Sequence, residues 1–227
     1  MPTPSDLLLL ADGRLPAGGH AHSGGLEQAV ELGDVRDVPT LRDFLRGLLR
    51  SSGQTSIAAS AAAARAWLSQ DDAALLELDA EESARMPSAQ LRGASRAQGR
   101  QLMRAAEAIW PSPAPLRLLP ALPHGPHLSL AQGVTAARLD LEPVDAARLA
   151  AYGVVSGPAT AAVRLLGLDP FAVHGVVATV MGDAEPVIAA AAEHASSPAW
   201  LLPGGAAPLL EIGAELHRTR EIRMFAS

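Results

Sequence analysis

The segment Leu15–Glu27, which reads L-P-A-G-G-H-A-H-S-G-G-L-E, places the tightest constraint on how this chain can fold. Four glycines fall within eight residues of it, and glycine weakens regular secondary structure unless the backbone needs its freedom. We therefore expect a positive φ here, or a contact too close for a Cβ atom. The segment is the candidate functional core, with candidate partner-binding residues Gly18, Gly19, His20, His22, Ser23, Gly24, Gly25 and Glu27.

The composition favours helices over strands. Hydrophobic residues make up 48% of the 227 residues, whereas aromatic residues make up only 3%. Alanine, the strongest helix former, supplies much of the hydrophobic content, while strands are enriched in β-branched and aromatic residues. The sequence therefore predicts an all-α fold.

Apolar residues recur with helical spacing along most of the chain, for example in one stripe between Thr40 and Arg50. Six prolines between residues 111 and 126 exclude a continuous helix and predict an extended crossing between two helical halves. We expect one domain, residues 1–227, built as a bundle of about ten helices. Further predicted helices span 55–70, 71–85, 88–110, 127–139, 143–166 (with a break at Gly153 or Pro158), 169–181, 185–195 and 208–218.

Missing residue types exclude several classes of protein. The chain has no cysteine, which excludes disulfides, thiolate nucleophiles and cysteine zinc sites. All 18 basic residues are arginine, so the lysine of a P-loop nucleotide site is missing. A net charge of −6 argues against general nucleic-acid binding. With no leader pattern and no apolar run of about 18 residues, we expect a cytoplasmic protein without a membrane span.

Histidines offer the alternative of a metal site. His20 and His22 are weak candidate ligands, and His124 and His127 could complete an imidazole cluster. Metal sites normally also contain acidic residues or cysteines at suitable spacing. We therefore favour the interpretation that these are loop histidines that form hydrogen bonds or contact a partner. We identify no catalytic residues and no cofactor-binding residues.

Arginines recur every four residues on the predicted long helix, at Arg92, Arg96, Arg100 and Arg104. The stripe is either a solvated surface or a docking face for an acidic partner, with Arg96 and Arg100 as candidate contacts. Reversing both to glutamate should leave the fold intact, since exposed charges contribute little to stability. Arg164 lies among alanines and leucines, so we expect it to be structural or interfacial.

The tail, residues 217–227, mixes charged and apolar side chains. Its apolar residues need a surface that covers them, and we expect a partner protein to provide it. Deleting Glu221–Ser227 should then remove no core residue of the isolated domain. The candidate partner-binding residues of the tail are His217, Ile222, Arg223, Met224 and Phe225.

Four stretches together resemble the UreF-type urease accessory proteins. The N-terminal segment is similar to L-P-x-G-G-[FH]-x-H-S-x-G-L-E, and the tail is similar to H-E-x-x-x-x-R-L-F-R-S. R-A-Q-G-R-Q-L at 96–102 resembles the arginine and glycine helix of that family, and A-A-V-R-L around Arg164 resembles its S-A-A-V-R-L segment. The tail departs from the pattern at Arg218, Glu221 and Ala226, which leaves partner contacts at those positions open.

The resemblance implies a non-catalytic chaperone for urease maturation that joins a UreD/UreH-type accessory protein as a dimer of heterodimers. It also implies recruitment of a UreG-type GTPase and nickel insertion into apo-urease, with nickel as transient cargo and no resident cofactor. Such a protein either acts as a scaffold, which we favour, or also modulates GTP hydrolysis by its partner. The alternative is an all-helical metal-dependent enzyme that uses the four histidines named above.

Overall fold

The computed structural model describes residues 4–111, 121–218 and 224–225, and the regular structure within these ranges is helical, without strands. This confirms the predicted all-α fold. Most of the predicted proline-rich crossing lies outside the described residues. The described ranges hold ten α-helices: α1 (Pro4–Ala11), α2 (Leu26–Glu31), α3 (Val38–Arg50), α4 (Ser52–Leu68), α5 (Asp72–Ala84), α6 (Ala89–Ile109), α7 (Leu128–Arg138), α8 (Pro143–Leu166), α9 (Pro170–Glu193) and α10 (Pro208–Arg218), with 3-10 turns at Gly19–Ala21 and Ala199–Leu201.

Capping side chains fix where several helices begin. Asp37 accepts a hydrogen bond from the Thr40 backbone N–H at 2.9 Å, and the Thr40 hydroxyl completes the capping box of α3. Asp71 caps α5 and Ser88 caps α6 in a similar way. These caps satisfy N–H groups that have no partner inside the helix. Because such signals are local, sequence analysis located these helices well.

Two predicted interruptions are wrong, because α8 and α9 are each continuous over 24 residues. Pro158 lies inside α8, and Pro186 lies inside α9 where the sequence predicted a gap between two helices. A proline inside a helix costs about 3 kcal/mol, since it removes one N–H and crowds the carbonyl four residues earlier. Packing offsets that cost: Pro158 itself is buried, and Ala184 and Ile188 on either side of Pro186 are fully buried.

The alanine-rich helix α4 lies at the centre of the fold and packs against α5, α7, α8 and α9. Its small side chains allow close approach, as Gly133 of α7 shows: a Cβ there would overlap the Ser60 carbonyl oxygen. One hydrophobic cluster includes residues from Leu26 to Phe225. The α4 alanines buried in the structure are Ala58, Ala59, Ala61, Ala62, Ala63, Ala64 and Ala66.

By length and composition, α8 and α9 could each cross a membrane, with a mean hydropathy of 1.3, although the sequence predicted no such run. Within the protein, 44% of the apolar window of α8 is buried and 28% of that of α9. Core helices of soluble proteins share this composition, and α8 packs against α4, α7 and α9. The two helices are therefore weak evidence for a membrane protein.

Candidate functional site

The N-terminal glycine segment forms a series of tight turns between α1 and α2. Gly18, Gly24 and Gly25 have φ angles of 80°, 61° and 85°, in the left-handed region that other L-residues disfavour. Gly19 has no positive φ. The prediction of a positive φ is confirmed, and three of these four positions favour glycine for backbone reasons.

The segment packs directly on two helices from the second half of the chain. A Cβ on Gly24 would lie 2.9 Å from Cγ of Pro158 in α8. A Cβ on Gly25 would overlap the side chain of Leu210 in α10. The glycines thus serve both requirements considered for this segment, a special backbone conformation and close packing.

Alanine at Gly24 or Gly25 is expected to lower the free energy of unfolding by about 1–3 kcal/mol, from left-handed strain and crowding together. Gly19→Ala is the matched control, because Gly19 has no positive φ and a Cβ added there would meet no atom within 4 Å. We expect it to stay within about 0.5 kcal/mol of the wild type. Urea unfolding followed by circular dichroism measures both. Equal losses at Gly19 and Gly25 would contradict this explanation.

Glu27, the last residue of the segment, joins the two ends of the chain through its buried carboxylate. Its Oε2 accepts hydrogen bonds from His217 Nε2 at 2.8 Å and from the Phe225 N–H at 3.0 Å. Its Oε1 accepts one from the Met224 N–H at 2.7 Å. The Glu27 N–H in turn donates to Ser23 Oγ at 3.3 Å. We call these five residues the Glu27 junction.

The Glu27 carboxylate is ionised at neutral pH. Burial by itself raises its pKa, but hydrogen bonds from Met224, His217 and Phe225 outweigh burial and hold the pKa below its ordinary value. Arg164 adds a cation–π contact, with its guanidinium carbon 4.7 Å from the centre of the Phe225 ring. The N-terminal segment, the A-A-V-R-L segment and the tail therefore meet at one place.

The tail is part of the folded core at Phe225, which is 5% exposed and belongs to the main hydrophobic cluster. The expectation that the tail holds no core residue is therefore wrong, because a buried carboxylate fixes its backbone and one of its side chains packs inside. Met224, in contrast, is 53% exposed. Ile222 and Arg223 lie outside the described residues.

One side of α10 is apolar and exposed near the tail. Leu209, Ile212 and Leu216 recur with helical spacing and are each more than half exposed. Beside these residues, α10 is anchored at the start of α6, where Glu215 accepts a hydrogen bond from the Ser88 hydroxyl at 2.7 Å. We refer to the exposed apolar set as the α10 face: Leu209, Ile212, Leu216 and Met224.

The arginines of α6 do not form one uniform stripe. Arg100 and Arg104 are exposed, and Arg92 donates to backbone carbonyls at the start of the helix. Arg96 turns inward, with Nη2 2.8 Å from Oδ2 of Asp79, and the two side chains are 19% and 4% exposed. The premise that Arg96 is an exposed charge is therefore wrong, and we expect its reversal to disturb the fold, because its charge neutralises a buried carboxylate.

Asp79, Arg96 and His127 form a buried polar network between α5, α6 and α7. Asp79 Oδ1 accepts a hydrogen bond from the His127 N–H at 3.0 Å. The two ring nitrogens of His127 lie 2.8 Å from Ser83 Oγ and 3.0 Å from Ser95 Oγ. Burial, and then the positive charge of Arg96, lowers the pKa of His127 to about 4, so the imidazole is neutral at pH 7.

The candidate imidazole cluster gains no support from the histidine positions. His127 is fully buried, and both its ring nitrogens bond to serine hydroxyls. His124 is exposed and His22 is half-buried, whereas the side chain of His20 lies outside the described part of the chain. Within that part, no three His, Cys, Asp or Glu side chains are grouped so that they could hold a metal ion.

Sequence analysis missed the buried acids Asp79 and Glu82 and the α10 face. An acid on an amphipathic helix is normally solvated, so burial of these two became visible only once α6 and α7 were packed against α5. A signal for the α10 face was present, since Leu209, Ile212 and Leu216 have helical spacing next to the tail.

Comparison with known proteins identifies the family. The family model named UreF matches residues 35–181. Proteins named urease accessory protein UreF are similar to this chain over most or all of its length. The one from Mycolicibacterium vanbaalenii is 43% identical over 223 residues, 97% of both chains. The one from a Mycobacterium species (strain JLS) is 41% identical over 227 residues, which is all of both chains. The one from Mycobacterium tuberculosis is 42% identical over 164 residues, which is 72% of this chain and 74% of the relative. This chain belongs to the UreF family, which confirms the resemblance.

Proposed function

We propose that this chain is a non-catalytic urease accessory protein that acts as a scaffold in urease maturation. Family membership supports the proposal, and the observation that carries it is the Glu27 junction. There, motifs from both ends of the chain close on one buried carboxylate and hold α10 and the tail in place. This arrangement leaves apolar side chains of α10 and the tail exposed on the protein surface. Such a surface is better suited to binding another protein than to catalysis.

The α10 face is the proposed docking surface for a UreD/UreH-type accessory protein. A contiguous exposed apolar patch is typical of a protein interaction site, and a few residues that become buried there carry most of the binding energy. The face is already ordered: Glu211 accepts from the Ser88 N–H at 2.6 Å, and a Cβ on Gly213 would lie 3.1 Å from Gln28. A pre-organised surface loses little conformational entropy on binding, which favours affinity.

The remaining partner roles follow from family membership. Arg100 and Arg104 are exposed on α6 and offer guanidinium groups to an acidic surface of a UreG-type GTPase or of apo-urease. We also propose a homodimer within the complex, a cytoplasmic location, and nickel as transient cargo rather than a resident cofactor. Modulation of GTP hydrolysis would add an arginine supplied in trans to this scaffold. The alternative metal-dependent enzyme is not favoured, since His127 is engaged in a structural network.

Ile212→Glu and Met224→Glu test the docking surface. Each is expected to weaken recovery of the UreD/UreH-type partner by at least about tenfold, because a charge would enter the apolar interface. Folding should not change, since the two side chains are 57% and 53% exposed. Phe171→Glu is the matched control, because Phe171 is 89% exposed and lies on α9, which packs on α8, α4 and α3. Co-purification and melting temperature are measured for each variant.

Undiminished recovery of the partner with both α10-face variants would contradict the proposed docking surface. Equal loss with Phe171→Glu would show that any added surface charge disturbs the complex. Urease activation by the wild-type chain, in cells that carry the other accessory proteins, is measured independently of these variants. That assay shows whether the chain acts as a maturation factor.

A further inference from the structure

A cleft of about 710 Å³ is lined by α5, α6, α7 and α8, and it extends to the N-terminal segment and to α10, where Ile212 of the α10 face also lines it. Its walls near α6 and α7 are largely apolar, with Leu91, Leu102 and Leu128 among the lining side chains. Polar groups reach the same cleft from α5 and α7, where Glu82, Ser129 and Gln132 line it. Clefts of this size with a few convergent polar groups are typical of small-molecule sites.

Glu82 is the unusual group in this cleft, because the residue is only 4% exposed. Its Oε2 accepts a hydrogen bond from the Ser129 hydroxyl. Among the residues that the structure describes, none donates a hydrogen bond to Oε1. Oε1 does not belong to the fully buried atoms that lack a partner, so it is accessible from the cleft, where a ligand with a hydrogen-bond donor can bind it.

The charges around Glu82 leave it without a cation of its own. Arg96 forms its ion pair with Asp79, and His127 is neutral because burial and Arg96 lower its pKa to about 4. Arg85, three residues further along α5, is paired with Glu81 at 2.7 Å and also bonds carbonyls of the 199–202 turn. When Glu82 is ionised, Asp79 and Glu82 therefore share the charge of Arg96, while Arg92, whose charge also acts on His127, bonds backbone carbonyls.

The protonation of Glu82 reflects this imbalance. Burial, with a smaller contribution from the charge of Asp79, raises its pKa to about 7 against an ordinary value of 4.5, although the Ser129 hydrogen bond and Arg96 act in the opposite direction. At neutral pH the group is close to the midpoint of its titration. A bound cation would stabilise the ionised form and release a proton.

We propose that the Glu82 end of this cleft binds a small organic ammonium ion. The ammonium group donates hydrogen bonds to Glu82 Oε1 and to the amide oxygen of Gln132, while its alkyl part packs on the leucine wall. A cation supplies the charge that the cluster lacks, and its N–H groups satisfy the free carboxylate oxygen. A transition-metal ion suits the site less well, because such ions prefer several nitrogen or sulfur ligands, whereas the groups beside Glu82 are the Ser129 hydroxyl and the Asp79 carboxylate.

The test uses the full chain and n-butylammonium as the probe. The neutral and anionic comparison probes, 1-butanol and butyrate, have the same four-carbon chain. Calorimetry at pH 7.5 and constant ionic strength should show that the ammonium ion binds at least about tenfold tighter than the alcohol. A tenfold difference in affinity corresponds to the same free energy as a shift of about one pKa unit. Glu82→Gln should reduce that preference to about twofold or less. Glu77→Gln, which alters an exposed carboxylate on the same helix, should keep it.

A second measurement keeps the proposal testable if Glu82→Gln folds poorly. Carbon-13 NMR of the wild-type glutamate side chains should give a pKa near 7 for Glu82, which falls when n-butylammonium saturates the site. Because the folded pKa lies above the ordinary value, stability should fall as pH rises from about 4.5 through about 7, and the probe should reverse part of that fall. Equal binding of ammonium and alcohol, or a Glu82 pKa that the probe does not move, would overturn the proposal.

Discussion

Arg96→Glu should lower the free energy of unfolding by about 3–5 kcal/mol, which is a large part of the stability of an ordinary domain. The substitution leaves the Asp79 carboxylate buried without its cation, since the two side chains are 19% and 4% exposed. It also adds a negative charge next to Glu82 and removes the hydrogen bond from Arg96 to Ser83 at 3.0 Å. Urea unfolding followed by circular dichroism measures the loss.

Arg100→Glu is the matched control for this prediction, because Arg100 lies four residues further along the same helix and is exposed. We expect its effect to stay within about 1 kcal/mol. The double variant Asp79→Asn, Arg96→Gln should recover part of the loss, since it removes both charges together. Similar small losses for Arg96→Glu and Arg100→Glu would show that the buried ion pair does not stabilise the fold.

Deletion of residues 221–227 should destabilise the isolated chain by about 2–4 kcal/mol, even with no partner present. The deletion removes the buried Phe225 ring, which contacts Arg164, and two N–H groups that bond to the Glu27 carboxylate. The freed chain regains entropy, which limits the loss. The melting temperature and urea midpoint measure the effect.

Met224→Ala separates folding from binding in the same tail. The variant keeps the backbone N–H of this residue, whose side chain is 53% exposed, so stability should change by less than about 0.5 kcal/mol while partner binding weakens.

The stabilisation by the tail should depend on pH, because the pKa of Glu27 is held below its ordinary value of 4.5. Above that pH the tail contributes its full stabilisation. In acid below it, the difference in free energy of unfolding between the full-length and truncated chains should shrink. A truncated chain as stable as the wild type at pH 7 would contradict the Glu27 junction.

Much of the fold could be predicted from local signals. Alanine-rich composition and apolar spacing predicted an all-α chain, and the helix starts predicted at Asp71 and Ser88 coincide with the caps of α5 and α6. The glycine segment predicted its own positive φ angles, because left-handed backbone depends on the residue itself. Predictions failed at Pro158 and Pro186, where tertiary packing overrode the local cost of a proline inside a helix.

The sequence by itself determined the helical elements, the special backbone of the N-terminal segment and the family to which the chain belongs. Only the tertiary structure decided which polar residues are buried. Arg96 and Arg100 are equivalent in helical spacing, yet one pairs with a buried acid and the other is exposed. Glu27 and Phe225 are separated by almost the whole chain, and their contact depends on how α2, α8 and α10 pack. Helical propensity and turn geometry depend on near neighbours along the chain, whereas burial, ion pairing and pKa depend on residues brought together from distant positions.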